Sequence, residues 1–368
     1  MKTIKQIEPW IDNKESDYIK KVVSKTFLTE SFETKKFEIN VKKKFNSKYA
    51  ISVSNWTAGM FLCLKAANIG KSDEVIVPNL TFIATVTAVL MSGATPVLCD
   101  VDEENFSLDI KKMKKLITKK TRCIIPVHLY GHCCNLDLLK KICRKKKIFI
   151  LEDAAQAIGA KFGNSYLGTI GDFGGFSFYG NKIITTGEGG MILTKKKNYS
   201  KLIYALKNHG RSSKGIFKHK IIGYNFMFTE MQAAIGNIQL KKLSTILEKK
   251  RRIYNSYKLH LKSIKSIKFM KNLNKNKPVH WFSNIITDKK KVLKKYLEKN
   301  KIQTRDIFYP INLQPCFKNS KVIKNINGNF PISNKIYNNG LSLPSSYSLN
   351  DKKLIYIIKK ILFFFKKN

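Results

Sequence analysis

Acidic residues are scarce in this chain of 368 residues, which has 25 Asp and Glu against 69 Lys and Arg and a formal net charge of +44. An excess of positive charge raises the question of nucleic acid or an anionic membrane surface. Here the lysines fall in short runs where loops and helix surfaces are expected, and no helix-turn-helix, zinc-finger or aromatic-basic sheet pattern accompanies them. We therefore attribute the charge to a solvated surface and expect no nucleic-acid partner.

Long apolar runs and paired cysteines are also missing. The longest apolar run near the carboxyl end, 361–365, is too short to span a bilayer, so we expect a packed terminal helix and no membrane partner. None of the seven cysteines forms a C-x-x-C pair. The stretch His132-Cys133-Cys134 lacks a second pair at ligand spacing, so no metal site is predicted. The odd cysteine count and the missing signal peptide favour a reducing cytoplasm.

Strands and helices alternate from about residue 48 to residue 195. Apolar runs predict strands, and helical periodicity between them predicts helices at 58–67, 83–91, 110–116 and 136–145. This alternation predicts βαβ units and a mostly parallel sheet. A long helical run from 230 to 261 then leads towards a smaller C-terminal α+β domain, in which the basic stretch 271–277 is expected to be a loop. The predicted strands are 49–54, 74–78, 96–100, 123–127, 148–153, 174–179 and 190–194.

Two chemically different side chains follow neighbouring strands of this predicted sheet. Asp153 follows closely on the apolar run 148–151, and Lys182 comes just after the strand 174–179. Because open α/β sheets bind ligands at the carboxyl ends of their strands, both side chains are expected to face one ligand. Pyridoxal phosphate (PLP) needs a lysine that holds its aldehyde as a Schiff base and a carboxylate that pairs with its pyridinium nitrogen. The pair therefore outlines a PLP site.

Several motifs around this pair resemble the DegT/DnrJ/EryC1/StrS sugar aminotransferases, and the resemblance runs nearly end to end. It implies the PLP-dependent transferase fold type I, which is aspartate-aminotransferase-like, with a mostly parallel seven-stranded sheet. It also implies a large PLP-binding domain at 1–245, whose segment 1–35 contributes to the substrate pocket, a small C-terminal α+β domain at 246–368, and a homodimer with shared active sites. The matching stretches are 73–78, 81–85, 93–97, 126–131, 151–156, 177–190, 223–225, 232–236, 308–310 and 341–344.

The resemblance assigns roles to the cofactor site. Lys182 is the catalytic residue, which holds the cofactor and then moves a proton between the substrate carbon and the cofactor's aldehyde carbon. Its presence argues against the family's dehydratase branch, in which His replaces this Lys. Asp153 keeps the pyridine nitrogen protonated, and Gln156 contacts the phenolic oxygen or the ring face. The other implied contacts are Thr57, Ala58 and Ser177 to the phosphate, Asn225 to the phosphate from the neighbouring subunit, and Phe82 stacked on the ring.

One position departs from the family's pattern. Trp56 stands where Gly is usual, in the turn Ser54-Asn55-Trp56-Thr57 between a strand and a helix. A bulky residue needs φ below zero unless the backbone is strained, so either the turn differs or the indole reaches the sugar. Other implied substrate contacts are Thr29 and Glu30 near the N-terminus, and His280, Trp281, Arg305 and Tyr309 in the C-terminal part. Arg305 suits either a diphosphate or the carboxylate of the amino donor.

The sequence thus predicts an enzyme, a PLP-dependent aminotransferase of nucleotide sugars. The resemblance implies that it moves an amino group, from glutamate, to C4 of a nucleotide-linked 4-keto-6-deoxyhexose, for amino-sugar and surface-polysaccharide biosynthesis. Transfer to C3 of a 3-keto sugar is an alternative within the same fold. A non-catalytic regulatory protein that binds PLP is an alternative from another class, against which the intact Asp153 and Lys182 speak.

Overall fold

The computed structural model describes residues 2–211 and 217–367. Helices begin where the sequence supplies caps: Asp12 and Thr229 each form a capping box, with Glu15 and Gln232 as the reciprocal partners. The α-helices of this part are α1 (Asn13–Val23), α2 (Phe32–Lys44), α3 (Trp56–Ala66), α4 (Ala84–Ser92), α5 (Ile110–Leu116), α6 (Leu136–Lys146), α7 (Lys197–Lys207), α8 (Glu230–Leu261), α9 (Lys290–Lys299), α10 (Pro331–Asn339) and α11 (Asp351–Lys367).

The strands fall into one large and two small sheets. They are β1 (Tyr49–Val53), β2 (Glu74–Pro78), β3 (Thr95–Cys99), β4 (Thr121–Ile124), β5 (Phe149–Asp153), β6 (Lys161–Phe162), β7 (Ser165–Tyr166), β8 (Phe173–Ser177), β9 (Gly190–Thr194), β10 (Lys268–Phe269), β11 (Asn276–Lys277), β12 (Ser283–Ile286), β13 (Arg305–Asp306) and β14 (Gly340–Leu343).

The large sheet has seven strands in the order β1-β9-β8-β5-β4-β2-β3. The pairs from β8 through β5, β4 and β2 to β3 are parallel, whereas β9 runs antiparallel to both β1 and β8. All seven predicted strands are present, with ends within three residues of the predicted ones. The predicted α/β fold with a mostly parallel seven-stranded sheet is therefore confirmed.

Both faces of the large sheet are buried. In β2, Val75 and Val77 pack into one apolar cluster while Ile76, between them, packs into another. The first cluster also takes side chains from α3, α4 and α7, and the second takes side chains from α2, α5, α6 and α8. A near-continuous apolar strand such as β2 is typical of a sheet covered by helices on both faces.

A second, four-stranded sheet with the order β10-β12-β14-β13 lies in the C-terminal part. An apolar cluster joins it to α9, α11 and the end of α8. The predicted domain boundary at residue 245 falls inside the continuous helix α8, and the predicted loop 271–277 ends in the two-residue strand β11, which pairs with β6. No helix within 2–211 and 217–367 is both long and apolar enough to cross a membrane.

Polar contacts hold the N-terminal segment on α8. The buried Glu230 carboxylate accepts hydrogen bonds from the backbone N–H groups of Ser31 and Thr34, at 2.8 and 3.0 Å, where α2 begins. Lys242 forms a buried ion pair with Glu15 of α1 at 2.7 Å. These contacts place the start of the chain beside the helix that links the two sheets.

Candidate active site

The acidic centre of the site is Asp153, the last residue of β5, which is only 6% exposed. Its carboxylate accepts hydrogen bonds on both oxygens. Trp56 Nε1 donates to Oδ1 at 2.9 Å, the Ala155 N–H donates to the same oxygen at 3.2 Å, and Thr85 Oγ1 donates to Oδ2 at 2.8 Å. These donors stabilise a negative charge on the carboxylate at the carboxyl edge of the sheet.

The basic centre is Lys182, in the segment between β8 and β9. Its Nζ lies 4.2 Å from the centre of the Trp281 ring, and its backbone N–H donates to Tyr179 O at 2.9 Å. Burial lowers the pKa of Lys182 to about 8; Asp153 opposes this shift and the positive charge of Arg305 adds to it. A substantial fraction of this amine is therefore neutral near physiological pH, as a nucleophile and proton carrier requires.

Hydrogen bonds on both sides of Lys182 hold the segment that carries it. Phe178 donates its backbone N–H to Gly189 O at 2.8 Å, and Thr185 Oγ1 donates to Phe178 O at 3.0 Å. From the C-terminal part, Trp281 Nε1 donates to Asn181 O at 2.8 Å. The same tryptophan thus fixes the backbone next to the lysine and places its ring beside the amine.

The predicted phosphate end of the site lies at the start of α3. Asn55 caps this helix, since its Oδ1 accepts the Ala58 N–H at 2.9 Å, and Thr57 is half-buried in the first turn. Ser177 ends β8, and its Oγ accepts the Tyr179 N–H at 3.3 Å. A helix N-terminus with neighbouring hydroxyl groups suits a phosphate.

An aromatic wall lies beside these groups. Tyr130, buried and in the left-handed region with φ of 53°, stacks on Phe308 with ring centres 5.7 Å apart. Its backbone N–H donates to Gln156 Oε1 at 2.8 Å, which holds the predicted cofactor contact Gln156 in place. Phe82 is 54% exposed, with its ring centre 5.8 Å from that of Phe308. An exposed ring of this kind is available to stack on a planar ligand.

The residues present fit PLP. The low-pKa amine of Lys182 suits its aldehyde, the Asp153 carboxylate suits its ring nitrogen, and the start of α3 suits its phosphate. The structure brings these groups to one edge of the sheet because β1, β5 and β8 all end there.

Three of the predicted substrate contacts are exposed. Thr29 precedes α2, Tyr309 is 38% exposed against Tyr337, and Arg305 lies with its guanidinium 5.6 Å from the centre of the Phe282 ring. Phe282 stacks on Trp281, the ring beside the Lys182 amine, so this arginine lies close to the site.

Three more of the seven predicted substrate contacts are engaged elsewhere, and the seventh, Trp281, lies against Lys182. Glu30 pairs with the buried Lys207 at 2.7 Å. His280 is 8% exposed and stacks on Tyr254 at 3.6 Å, and burial lowers the pKa of its imidazole to about 3. Trp56 is 4% exposed and points at Asp153 rather than towards solvent.

Asn225 is exposed, and it forms a backbone bridge to Asn208. The next residue, Phe226, accepts a hydrogen bond from the Ser54 N–H at 3.0 Å. The backbone at Asn225 therefore runs along the end of β1 in its own chain. Its predicted reach into a neighbouring subunit stays a prediction.

Two contacts in the structure were not predicted from the sequence. Thr85, in the first turn of α4, was not expected to hold Asp153; its hydroxyl also lies 3.1 Å from that of Thr81, which precedes the helix. Trp281 was placed near the sugar pocket, not against Lys182, and nothing in the local pattern pointed to that contact.

A mostly parallel sheet with a low-pKa lysine and a buried carboxylate at one edge defines a PLP-dependent transferase. The sequence profile of the DegT/DnrJ/EryC1/StrS aminotransferase family matches residues 9–362. The chain belongs to this family of sugar aminotransferases, and PLP is its cofactor.

Named relatives are similar along nearly the whole chain. GDP-perosamine synthase of Escherichia coli O157:H7 is 35% identical over 365 residues, covering 98% of each chain. The dTDP-3-amino-3,6-dideoxy-alpha-D-galactopyranose transaminase of Aneurinibacillus thermoaerophilus is 31% identical and covers 88% of each chain. The crystal structure of S. venezuelae DesV in complex with a ketimine intermediate superposes with a TM-score of 0.93 at 26% identity, covering 100% of this chain and 99% of that one.

The pKa of Lys182 predicts how cofactor capture depends on pH. Only a neutral amine attacks an aldehyde, so the rate of PLP capture by the apoenzyme should rise about tenfold per pH unit at low pH and level off above about pH 8. Stopped-flow measurement of the visible absorbance that follows PLP addition gives this profile. An Arg305→Gln variant should move the plateau to higher pH, because it removes a charge that lowers the pKa. A wild-type rate that still climbs steeply above about pH 9.5 would contradict the prediction.

Proposed function

We propose that this enzyme transfers an amino group from glutamate to C4 of a nucleotide-linked 4-keto-6-deoxyhexose, as a perosamine synthase does. The observation that carries the proposal is the partly buried Lys182 amine, with its pKa of about 8, within electrostatic reach of the buried Asp153. Similarity to GDP-perosamine synthases over nearly the full chain supports the choice of C4.

Bound PLP supplies an electron sink and stores the amino group between the two substrates. Lys182 Nζ would move a proton between the substrate carbon that carries the amino group and the aldehyde carbon of the cofactor, which its low pKa permits. Asp153 holds the proton on the ring nitrogen. Donors from Trp56 and Thr85 occupy both carboxylate oxygens and hold that side chain in one orientation.

The substrate side of the proposed site is basic and aromatic. Arg305 is exposed next to Lys182, and its planar fork suits paired oxygens, either of the sugar-nucleotide diphosphate or of the glutamate carboxylate. Thr29 and Tyr309 are exposed, and they supply hydroxyl groups for the sugar. The net charge of +44 attracts an anionic substrate to this surface.

Transfer to C3 is the second candidate, favoured by relatives whose names specify a 3-amino product. It uses the same Lys182 and Asp153 and differs only in how the sugar lies relative to the amine. The third candidate is a PLP-binding regulatory protein without activity, against which the intact pair of Asp153 and Lys182 speaks.

A substrate panel tests the proposal. The holoenzyme is incubated with glutamate and, in turn, GDP-, dTDP- and UDP-linked 4-keto-6-deoxyhexoses and a 3-keto sugar, and 2-oxoglutarate and the amino sugar are quantified. We expect the 4-keto sugars to be aminated at C4, with one nucleotide preferred. Amination of only the 3-keto sugar would replace the first candidate by the second. Failure of glutamate to change the visible spectrum of the holoenzyme, together with no product, would favour the regulatory alternative.

The proposal extends to organisation and assembly. We propose a large PLP-binding domain at 1–245, a small domain at 246–368, and a cytoplasmic homodimer in which each subunit completes the partner's phosphate site through Asn225. The exposed position of Asn225 supports this assembly, and so does the exposure of the apolar side chains Ile222 (89%) and Met231 (38%) on either side of it.

Mixed subunits test the shared site. When a Lys182→Ala variant is mixed with an Asn225→Ala variant, a heterodimer has one active site with both lesions and one with neither, so activity should reappear. The measurement is amino-sugar formation after subunit exchange, with heterodimers verified by two affinity tags.

The control is Asn225→Ala alone, which must be impaired for the test to have meaning. If Asn225 acts only within its own chain, each site in the heterodimer carries one lesion and no activity returns. That result, with heterodimers present, would refute the shared site and leave the C4 proposal standing.

A further inference from the structure

The indole of Trp56 lies against the active-site carboxylate and not in the sugar pocket, where the sequence offered a place for it. Its Nε1 donates to Asp153 Oδ1 at 2.9 Å, and the side chain is 4% exposed. Trp56 is the first residue of α3, with the cap supplied by Asn55, so its backbone is helical and the turn needs no glycine there. The indole therefore points inward beneath the edge of the sheet.

Two glycines, one on α3 itself and one on β8, make room for this ring. A methyl group on Gly59, one turn further along α3, would lie 2.8 Å from Trp56 Cε3. A methyl group on Gly175 of β8 would overlap the far carbons of the indole. Gly175 is also the residue that pairs with Asp153 across β5 and β8. The gap at Gly175 thus lets the indole pass across β8 to the carboxylate beside it.

Two other groups donate hydrogen bonds to the Asp153 carboxylate, and they show what the bond from the indole contributes. Thr85 Oγ1 donates to Oδ2 at 2.8 Å, and the Ala155 N–H donates to Oδ1 at 3.2 Å. Without Trp56, Oδ1 would keep only the longer backbone contact within its own turn. A hydrogen bond to an ionised group is stronger than one between neutral groups, and one that approaches from a separate element also restricts rotation of the carboxylate.

We propose that Trp56 is a positioning residue for the reaction: its indole N–H fixes the plane of the Asp153 carboxylate and stabilises its charge opposite the ring nitrogen of PLP. This inference rests on the proposed role of Asp153. It assigns Trp56 to the cofactor side of the site and removes it from the sugar pocket.

The test compares two ligands that differ only at the ring nitrogen. The dissociation constants of PLP and of its 1-deaza analogue, in which CH replaces that nitrogen, are measured for the apoenzyme and for Trp56→Phe. Lys182 and the phosphate contacts serve both ligands equally. We expect wild type to prefer PLP and Trp56→Phe to lose about tenfold of that preference, the scale of one hydrogen bond to a charged group. Thermal denaturation of each apoprotein shows whether the fold is kept.

A second replacement separates the N–H from the bulk of the ring. Site-specific incorporation of 3-benzothienylalanine at position 56 keeps a bicyclic side chain and removes only the donor. The same loss of preference is expected, whereas a merely structural role predicts wild-type preference in this variant. Equal weakening of both ligands in both variants would overturn the proposal.

The Asp153→Asn variant separates the proposed role of Asp153 from the inference on Trp56. If it abolishes the preference for PLP while the Trp56 variants keep it, Asp153 has its proposed role and the inference on Trp56 is overturned alone. If Asp153→Asn leaves the preference intact, the assignment of Asp153 fails, and the inference on Trp56 falls with it.

Discussion

Replacing Lys182 by alanine should lower the rate of transamination by at least about 10⁴-fold, the upper scale for a positioned proton-transfer group. The variant loses both the amine that holds the cofactor and the base that moves the proton. The Trp281 ring and the Arg305 guanidinium, which act on the Lys182 amine in the described part of the chain, offer no substitute base. PLP or pyridoxamine phosphate should still bind, through the phosphate contacts at the start of α3. Single-turnover amino transfer and equilibrium dialysis of the cofactor measure the two effects separately.

Lys119→Ala is the matched control, because this lysine is exposed in a turn at the opposite edge of the sheet. It should react at the wild-type rate. Partial recovery of Lys182→Ala by added ethylamine would support loss of a base as the cause, since the small amine fits the space that the side chain leaves. Substantial turnover of Lys182→Ala without added amine would show that another residue carries the chemistry.

Replacing Asp153 by asparagine should lower the transamination rate by roughly 10²-fold or more. The shape is kept and the charge that holds the ring proton is lost. The structure predicts that the fold tolerates the change. The oxygen of the new amide would accept from Trp56 Nε1, and its NH₂ would donate to Thr85 Oγ1, which can turn its own proton towards Thr81. The rate is measured under saturating cofactor, and the melting temperature is compared with wild type.

Asp137→Asn serves as the control, because Asp137 forms an exposed ion pair with Lys275, and such pairs contribute little. It should change neither rate nor melting temperature appreciably. Near-normal turnover of Asp153→Asn would mean that a different group pairs with the ring nitrogen. A large fall in melting temperature would instead point to a packing role for the carboxylate.

The fold could be predicted because a strand that is buried on both faces is a continuous run of apolar residues in the sequence. Strand β2 is apolar at every position from Val75 to Val77, as a strand buried on both faces must be, and the spacing of such runs revealed the βαβ order. The antiparallel direction of β9 was not visible in this way. A strand has the same pattern whichever way it runs, and only its pairing with β1 and β8 shows the direction.

The candidate site was predictable where its residues end strands and follow a motif. Asp153 and Lys182 are of this kind, and the structure brings them within electrostatic reach of each other. Glu30 and His280 were expected to contact substrate, yet Glu30 pairs with Lys207 and His280 stacks on Tyr254. These partners come from distant parts of the chain, and a residue's own neighbours do not reveal which distant group it meets.

By itself, then, the sequence determined the succession of strands along the chain, the membership of the family and the choice of Lys182 and Asp153 as the proposed centre of the site. The tertiary structure decided which groups surround them. Trp56 shows the reason: the direction of its indole depends on the gap left by Gly175, on a strand far along the chain, and on a hydrogen bond to Asp153 on another. Packing gaps and donor–acceptor pairs form only when separate segments meet, so they leave no trace in local periodicity.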